Sequence, residues 1–244
     1  MKRALALTIV LFAANARGAD VTGGLKPAAP QDVLARVDAY RNPLQSFTVD
    51  VELTSVTKER TDVSRFRVYG KGSDRSLVEF QYPQSEKGKY LLMTHDAMWI
   101  YMPDTSRPIR ISPLQRLAGQ ASNGDVARTS FTVDYVAQGA AEEGAAWVLD
   151  LAARDAGVAY NRVKLWVDRS TYQPIKADFY VVSGKLIKRA FYRDFADVNG
   201  RRVLTRIEIE DLLRPGNRTV MRYANLHAQD NPEKMFNKES LGKW

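Results

Sequence analysis

Apolar and polar residues alternate without error over Phe47-Thr48-Val49-Asp50-Val51-Glu52-Leu53. The apolar positions fall on one face and Thr, Asp and Glu on the other, the mark of a half-buried strand. The period recurs down the chain. Phe66 and Val68 oppose Arg65 and Arg67 within 64–71, and Val78, Phe80 and Tyr82 oppose Glu79 and Gln81 within 75–82. Segments 133–139 and 145–153 predict a hairpin across Glu142-Glu143-Gly144. Val163, Leu165 and Val167 oppose Arg162, Lys164 and Asp168. Segments 175–182 and 186–195 meet at Ser183-Gly184. Val203, Thr205, Ile207 and Ile209 oppose Arg206, Glu208 and Glu210 in one strand, and Pro215-Gly216-Asn217 turns into a last strand over 219–227. Residues 31–41 break the pattern. There Val33, Leu34, Val37 and Tyr40 recur at helical spacing, with Pro30 in the first turn and Pro43 beyond the end. A short helix over 232–241 closes the chain.

The stretch 83–135 sits in the middle of these strands and differs from them. Two strand-like runs, 87–94 and 98–102, flank His95-Asp96-Ala97, and a Pro-bounded piece over 107–111 follows. Residues 114–117 are compatible with a helix that ends near Gly119. Ser122 and Asp125 have capping-box spacing, which predicts a short helix from 123 to about 130. Such helical pieces form either a lid on the sheet or an ordinary surface loop.

Strands at this spacing, joined by hairpin turns, mean an antiparallel, mainly β (α+β) architecture with one face buried and the other wet. About twelve strands are too many for one flat sheet, which must curl or split. A curved sheet around helices and a filled two-sheet sandwich both satisfy the pattern. The central stretch carries a family likeness that bears on this choice. Pro83, Gly88, Leu92, Trp99, Tyr101, Pro103, Arg107, Arg110, Gly119, Ser122 and Asp125 occur in the order found in outer-membrane lipoprotein-sorting proteins. The chain resembles these LolA-like periplasmic carriers over about residues 30 to 240. The resemblance implies a strongly curved, half-open sheet, an incomplete barrel, with helices as a lid over an apolar cavity. It also implies a lipid or acylated lipoprotein cargo, with an inner-membrane RND-type or ABC-type transporter and an outer-membrane acceptor as partners.

The alternating faces nominate the residues that would contact lipid: Phe47, Val49, Val51, Leu53, Phe66, Val68, Leu92, Trp99, Tyr101, Ile207 and Ile209. Trp99 and Tyr101 either line a mouth or pack in the core. No arginine is singled out by its position as a polar latch for the lid.

Composition narrows the function further. Lys2-Arg3, an apolar run over 4–14 and Ala14-Asn15-Ala16 have the form of a secretory leader over 1–19. A flexible Gly-, Pro- and Ala-rich segment over 20–30 and a single domain over 31–244 are expected to follow. The chain of 244 residues has no cysteine, which excludes disulfides, thiolate metal sites and cysteine nucleophiles. Cleavage after Ala16 would remove Lys2 and Arg3 and lower the formal charge from +8 to +6, spread without a block of like charges. That mild positive surface favours anionic headgroups or acidic partners, while export and the lack of a nucleic-acid motif argue against nucleic acid. His95 and His227 lack neighbours at metal-ligand spacing, and no nucleophile elbow or phosphate loop occurs. No cofactor, metal or catalytic residue is expected. The resulting reading is a periplasmic carrier that moves lipid or lipoprotein acyl chains towards the outer membrane. The alternatives are a lipid-sensing regulatory module and an accessory protein of an RND-type exporter. The mature N-terminus is expected between Arg17 and Asp20. Intact-mass measurement of the protein from a periplasmic fraction checks this, and a retained Met1 on cytoplasmic protein contradicts it.

Overall fold

A computed structural model describes residues 29–95, 97–105, 107–128 and 130–243. The expected leader and the flexible segment up to residue 28 lie outside the described residues. Helix α1 (Pro30–Arg41) opens on a proline at its first turn, where the missing N–H has no helical partner to lose. It buries Val33, Leu34 and Val37 along one stripe.

Strands β1 (Ser46–Val56), β2 (Thr61–Lys71), β3 (Arg75–Tyr82), β4 (Tyr90–Met93), β5 (Met98–Tyr101) and β6 (Ile109–Ile111) follow as antiparallel neighbours. A small separate hairpin comes next, β7 (Arg116–Ala118) and β8 (Ala121–Ser122), then the short helices α2 (Asn123–Ala127) and α3 (Phe131–Asp134). The second half is β9 (Tyr135–Glu143), β10 (Ala146–Ala153), β11 (Arg162–Asp168), β12 (Pro174–Tyr180) and β13 (Leu186–Tyr192). A second separate hairpin, β14 (Phe195–Val198) and β15 (Arg201–Leu204), precedes β16 (Arg206–Asp211) and β17 (Arg218–Ala228). Two 3₁₀ turns, Glu233–Phe236 and Lys238–Ser240, end the described chain.

The main sheet has 13 strands in the order β6-β5-β4-β3-β2-β1-β17-β16-β13-β12-β11-β10-β9. Strand β17 joins the halves by pairing with both β1 and β16. The end strands β6 and β9 do not pair, so the sheet stays open. It wraps nonetheless, because Val78 and Leu91 from one half share a single core with Leu165 and Phe179 from the other and Leu34 from α1. A right-handed twist accumulated over this many strands forces that curl. On the outer face, opposite charges stand directly across neighbouring strands: Arg67 with Asp50 at 2.8 Å, Arg65 with Glu52 at 2.9 Å, and Arg189 with Asp178 at 2.5 Å. Such cross-strand pairs contribute roughly 0.2–1 kcal/mol each and penalise a one-residue slip.

Four expectations need correction. Residues 114–117 are not helical. Too few residues separate Pro113 from Gly119 to repay helix nucleation, and Arg116–Ala118 forms β7 instead. The strand expected through 203–210 is two strands, because the chain leaves the side hairpin at Thr205 before β16 rejoins the sheet. Helix α2 ends at Ala127 rather than near 130, and residues 131–134, expected partly in a strand, form α3. The closing helix is two 3₁₀ turns, split at Asn237, whose side chain accepts from the Glu239 N–H.

The β7–β8 turn presses onto the sheet. Gly119 has φ +56, and a Cβ there would collide with the Ser55 and Thr219 hydroxyls, while the Gln120 N–H donates to Thr219 Oγ1 at 2.8 Å. Gly119→Ala therefore combines left-handed strain with a buried clash. A loss of about 3 kcal/mol or more in urea unfolding is expected, against about 1 kcal/mol for alanine at Gly144, which is equally left-handed at φ +59 but has nothing within 4 Å of a Cβ.

Candidate functional site

The concave face collects most of the predicted contact residues. Phe47, Val49, Val51, Leu53, Phe66, Val68, Ile207 and Ile209 are buried in the main core. Their neighbours Asp50, Glu52, Arg206 and Glu208 take part in ion pairs at the opposite face. Leu92, Trp99 and Tyr101 are not brought together with the rest. Leu92 belongs to a separate cluster with Leu77, Phe236 and Leu241, against which Trp99 and Tyr101 pack. The alternation itself is intact, since Leu91, Met93 and Met98 supply the concave face from the same strands. This part of the sheet is apolar on both sides because the C-terminal turns cover its outer face, and periodicity alone does not tell one apolar side from the other. Lys238 Nζ sits 4.8 Å from the Trp99 ring centroid, sealing that contact.

The roof over the concave face is held by a few polar links. In the capping box of α2 the Ser122 hydroxyl accepts from the Asp125 N–H at 3.2 Å and the Asp125 carboxylate accepts from the Ser122 N–H at 2.8 Å. Lys188, buried on β13, ties this turn to the sheet by donating to Asp125 Oδ2 and to the Tyr160 hydroxyl, each at 2.5 Å. Burial, with Asp125 beside it, holds the Tyr160 hydroxyl well above the ordinary tyrosine range, so it stays protonated. Asp38 on α1 caps α3 from outside. Its carboxylate accepts from the N–H groups of Phe131 and Thr132 at 2.7 and 2.8 Å and from the Ser130 and Thr132 hydroxyls, both at 2.7 Å. Arg128 pairs with Asp134 within the roof. Charge-assisted bonds of this kind contribute about 1.5–3 kcal/mol each.

Two cavities remain beneath. The smaller, about 40 Å³, lies under α2 and α3 against Ile207, Ile209 and Met221. The larger, about 240 Å³, lies between the end of α1, the start of β1, the end of β17 and the β14–β15 hairpin. Phe47, Val49, Val198, Val203, Leu204 and Leu226 line it. The hairpin turns at Asn199 and Gly200, with φ +50 and +76, the two positive values of a type I′ turn. It is fastened by the Arg201 guanidinium on the Pro43 carbonyl and by an edge-on contact of Tyr40 with Phe195, centroids 5.6 Å apart. At the rim β17 carries a bulge, with Asn225 at φ +54 donating to Asp50 Oδ2 at 2.8 Å. A bulge bends its strand and re-aims side chains, here beside the cavity.

Arg41, at the C-terminal end of α1, lines both cavities. Sequence reading missed it, along with Ala196, Val198, Val203 and Leu226. The Asn199-Gly200 dipeptide is a strong hairpin signal and pointed to the β14–β15 residues; nothing local pointed to Arg41. Among the described residues no group of three or more metal-ligating side chains occurs.

A half-open antiparallel sheet, wrapped about an apolar face and roofed by short helices, defines the class of protein. The chain belongs to the LolA superfamily. It is 37% identical to a LolA superfamily protein from Nitrosomonas europaea, with a TM-score of 0.81 and coverage of 88% of this chain and 100% of that one. A family model described as an uncharacterized protein matches residues 72–243. The fold is shared with a DUF1329 family protein from Desulfovibrio piger at 22% identity, TM-score 0.72 and coverage of 87% and 97% of the two chains. It is also shared with a structure described as an outer membrane lipoprotein-sorting protein domain from Vibrio parahaemolyticus, at 18% identity, TM-score 0.73 and the same coverage. No curated protein matches the sequence.

The roof carries a pH dependence. Burial pushes Asp134 up from 3.8 to about 6, against the opposing pull of Arg128 and Arg41. A carboxyl with a raised pKa binds its proton more tightly in the folded protein than in a solvated segment. Packing of residues 130–135 is therefore favoured as pH falls from about 6 towards 4 and weakened as pH rises through that window, by up to about 3 kcal/mol at roughly 1.4 kcal/mol per pH unit. Hydrogen exchange at residues 130–135, corrected for intrinsic rates, should show more protection at about pH 5 than at about pH 7. Asp134→Asn should remove the difference.

Proposed function

We propose that this protein is a periplasmic carrier that holds the acyl chain of a lipid or lipoprotein against the concave face of its sheet. The observation that carries the reading is the apolar cavity of about 240 Å³ under the β14–β15 hairpin. Its lining is mostly apolar, and apolar cavity walls favour an apolar guest. It has room for about eight methylene groups if each takes roughly 30 Å³, the share of a water molecule in the liquid. Burying them would contribute about 6 kcal/mol at roughly 0.8 kcal/mol each, less the cost of association. That magnitude suits cargo that is bound and then released. Membership of the LolA superfamily, and the fold shared with a lipoprotein-sorting domain, support the same reading. Binding of this kind needs no catalytic residue. Among the described residues no helix is long and apolar enough to cross a membrane. Such a carrier would receive cargo from an inner-membrane transporter of the RND or ABC type and deliver it to an outer-membrane acceptor.

The hairpin supplies the test. Ala196 faces the cavity, while Asp197 on the same strand is exposed and pairs with Arg202 at 3.2 Å. Ala196→Phe fills the space and should lower the lipid retained through purification at least tenfold, about 1.4 kcal/mol. Asp197→Ala should leave it within a few tenths of a kcal/mol of wild type. Circular dichroism checks that both are folded, and mass spectrometry quantifies the extracted lipid. Equal lipid in a folded Ala196→Phe protein would remove the cavity from the carrier's function.

A further inference from the structure

The larger cavity is mostly apolar, with Thr205, Asn225 and two tyrosines among its lining. Of the residues that line it, Arg41 alone carries a formal charge, and it is also the one residue that lines the smaller cavity. Among the described residues its guanidinium makes no ion pair. Its contacts are a long bond from Nη2 to the Arg128 carbonyl at 3.4 Å and the face of the Phe131 ring, 4.3 Å from the centroid. The three acidic groups nearby make their bonds elsewhere. Asp134 pairs with Arg128, Asp125 pairs with Lys188, and Asp38 accepts from the Ser130 and Thr132 hydroxyls and from the Phe131 and Thr132 N–H groups. A half-buried guanidinium beside an apolar space bears a desolvation penalty that a single well-placed anion relieves, through charge-assisted hydrogen bonds to its planar fork.

We propose that this cavity takes a single-chain amphiphile with an anionic head. Its carboxylate or phosphate lies against Arg41, and its chain lies among Val49, Val203, Leu204 and Leu226. The proposal rests on the carrier reading and adds to it the charge of the head and the number of chains. The volume supports one chain, because about eight methylene groups fill about 240 Å³ at roughly 30 Å³ each and leave no place for a second. The lining joins Arg41 at the end of α1 with Ala224, Asn225 and Leu226 beside the bulge of β17, so it offers both a charge for a head and apolar surface for a tail. Arg41 also lines both cavities, so an anion bound there would compete for the bond that now goes to the Arg128 carbonyl in the segment between α2 and α3. Ligand charge and roof position are thereby tied to one side chain.

The test uses the full mature chain stripped of lipid and four probes that share one chain length: laurate, dodecyl phosphate, dodecanol and dodecyltrimethylammonium. Inorganic phosphate serves as the chainless control, and binding is measured by calorimetry below micelle concentrations. Laurate and dodecyl phosphate are expected to bind at least tenfold more tightly than dodecanol and the cationic amphiphile, with no binding of inorganic phosphate. The tighter of the two anionic probes identifies the head as carboxylate or phosphate, and either result supports the proposal. Arg41→Met should bring laurate to the level of dodecanol, while Arg41→Lys should keep most of the preference. Circular dichroism monitors folding, and if Arg41→Met does not fold, the wild-type ratio and Arg41→Lys decide. Equal affinity of wild type for laurate and dodecanol overturns the proposal and leaves the carrier reading standing. Inorganic phosphate binding as tightly as dodecyl phosphate also overturns it. Failure of all four amphiphiles to bind overturns both.

Discussion

An open sheet with one apolar face must have that face covered, and this chain has little with which to cover it. The described helices have 12, 5 and 4 residues, beneath which 13 strands turn an apolar surface inwards. The sheet therefore curls until its halves share one core, and short segments bridge what is left. Covering is nearly complete under α2 and α3, where the cavity is about 40 Å³. It is incomplete at the end of α1, where the β14–β15 hairpin arches over about 240 Å³. The space is a consequence of how the chain divides its residues between sheet and roof.

The same shortage explains why the roof is tied down by charge. Helices of 4 and 5 residues bury too little apolar surface to hold themselves. Lys188, Asp125, Asp38, Arg128 and Asp134 do what a longer amphipathic helix would do by packing. Such links are directional and exchangeable with water, unlike a packed stripe of leucines.

The two faces of the sheet divide the labour. Outside, paired charges across β1, β2, β12 and β13 hold the register. Inside, apolar residues set the curvature. The C-terminal turns interrupt this division over β3 to β5, where they cover Leu77 and Leu92 from outside and add a second apolar layer. They are fastened there by Asn231, whose side-chain amide donates to the Phe47 and Gly70 carbonyls at 2.8 and 3.1 Å.

The alternation of side chains is local, and it was enough to determine which residues of the long strands face inwards. Phe47 to Leu53, Phe66, Val68, Ile207 and Ile209 were legible because a period of two needs no partner strand. The capping box of Ser122 and Asp125 was legible for the same reason. Asn199-Gly200 carries a hairpin signal, but the strand pattern stopped at Phe195 and resumed at Val203, which left the hairpin between them unread. Strand order was not, because β17 reaches back to β1 across the whole chain, and no local pattern encodes that closure. Nor was the side of Leu92, Trp99 and Tyr101, which depends on distant turns covering the outer face. Arg41 reads in sequence as an ordinary basic residue in the last turn of a helix. Only the folding of β14, β15 and β17 around it left its charge beside an apolar space, because burial and the absence of a counter-ion are properties of what surrounds a residue and not of its neighbours in the chain.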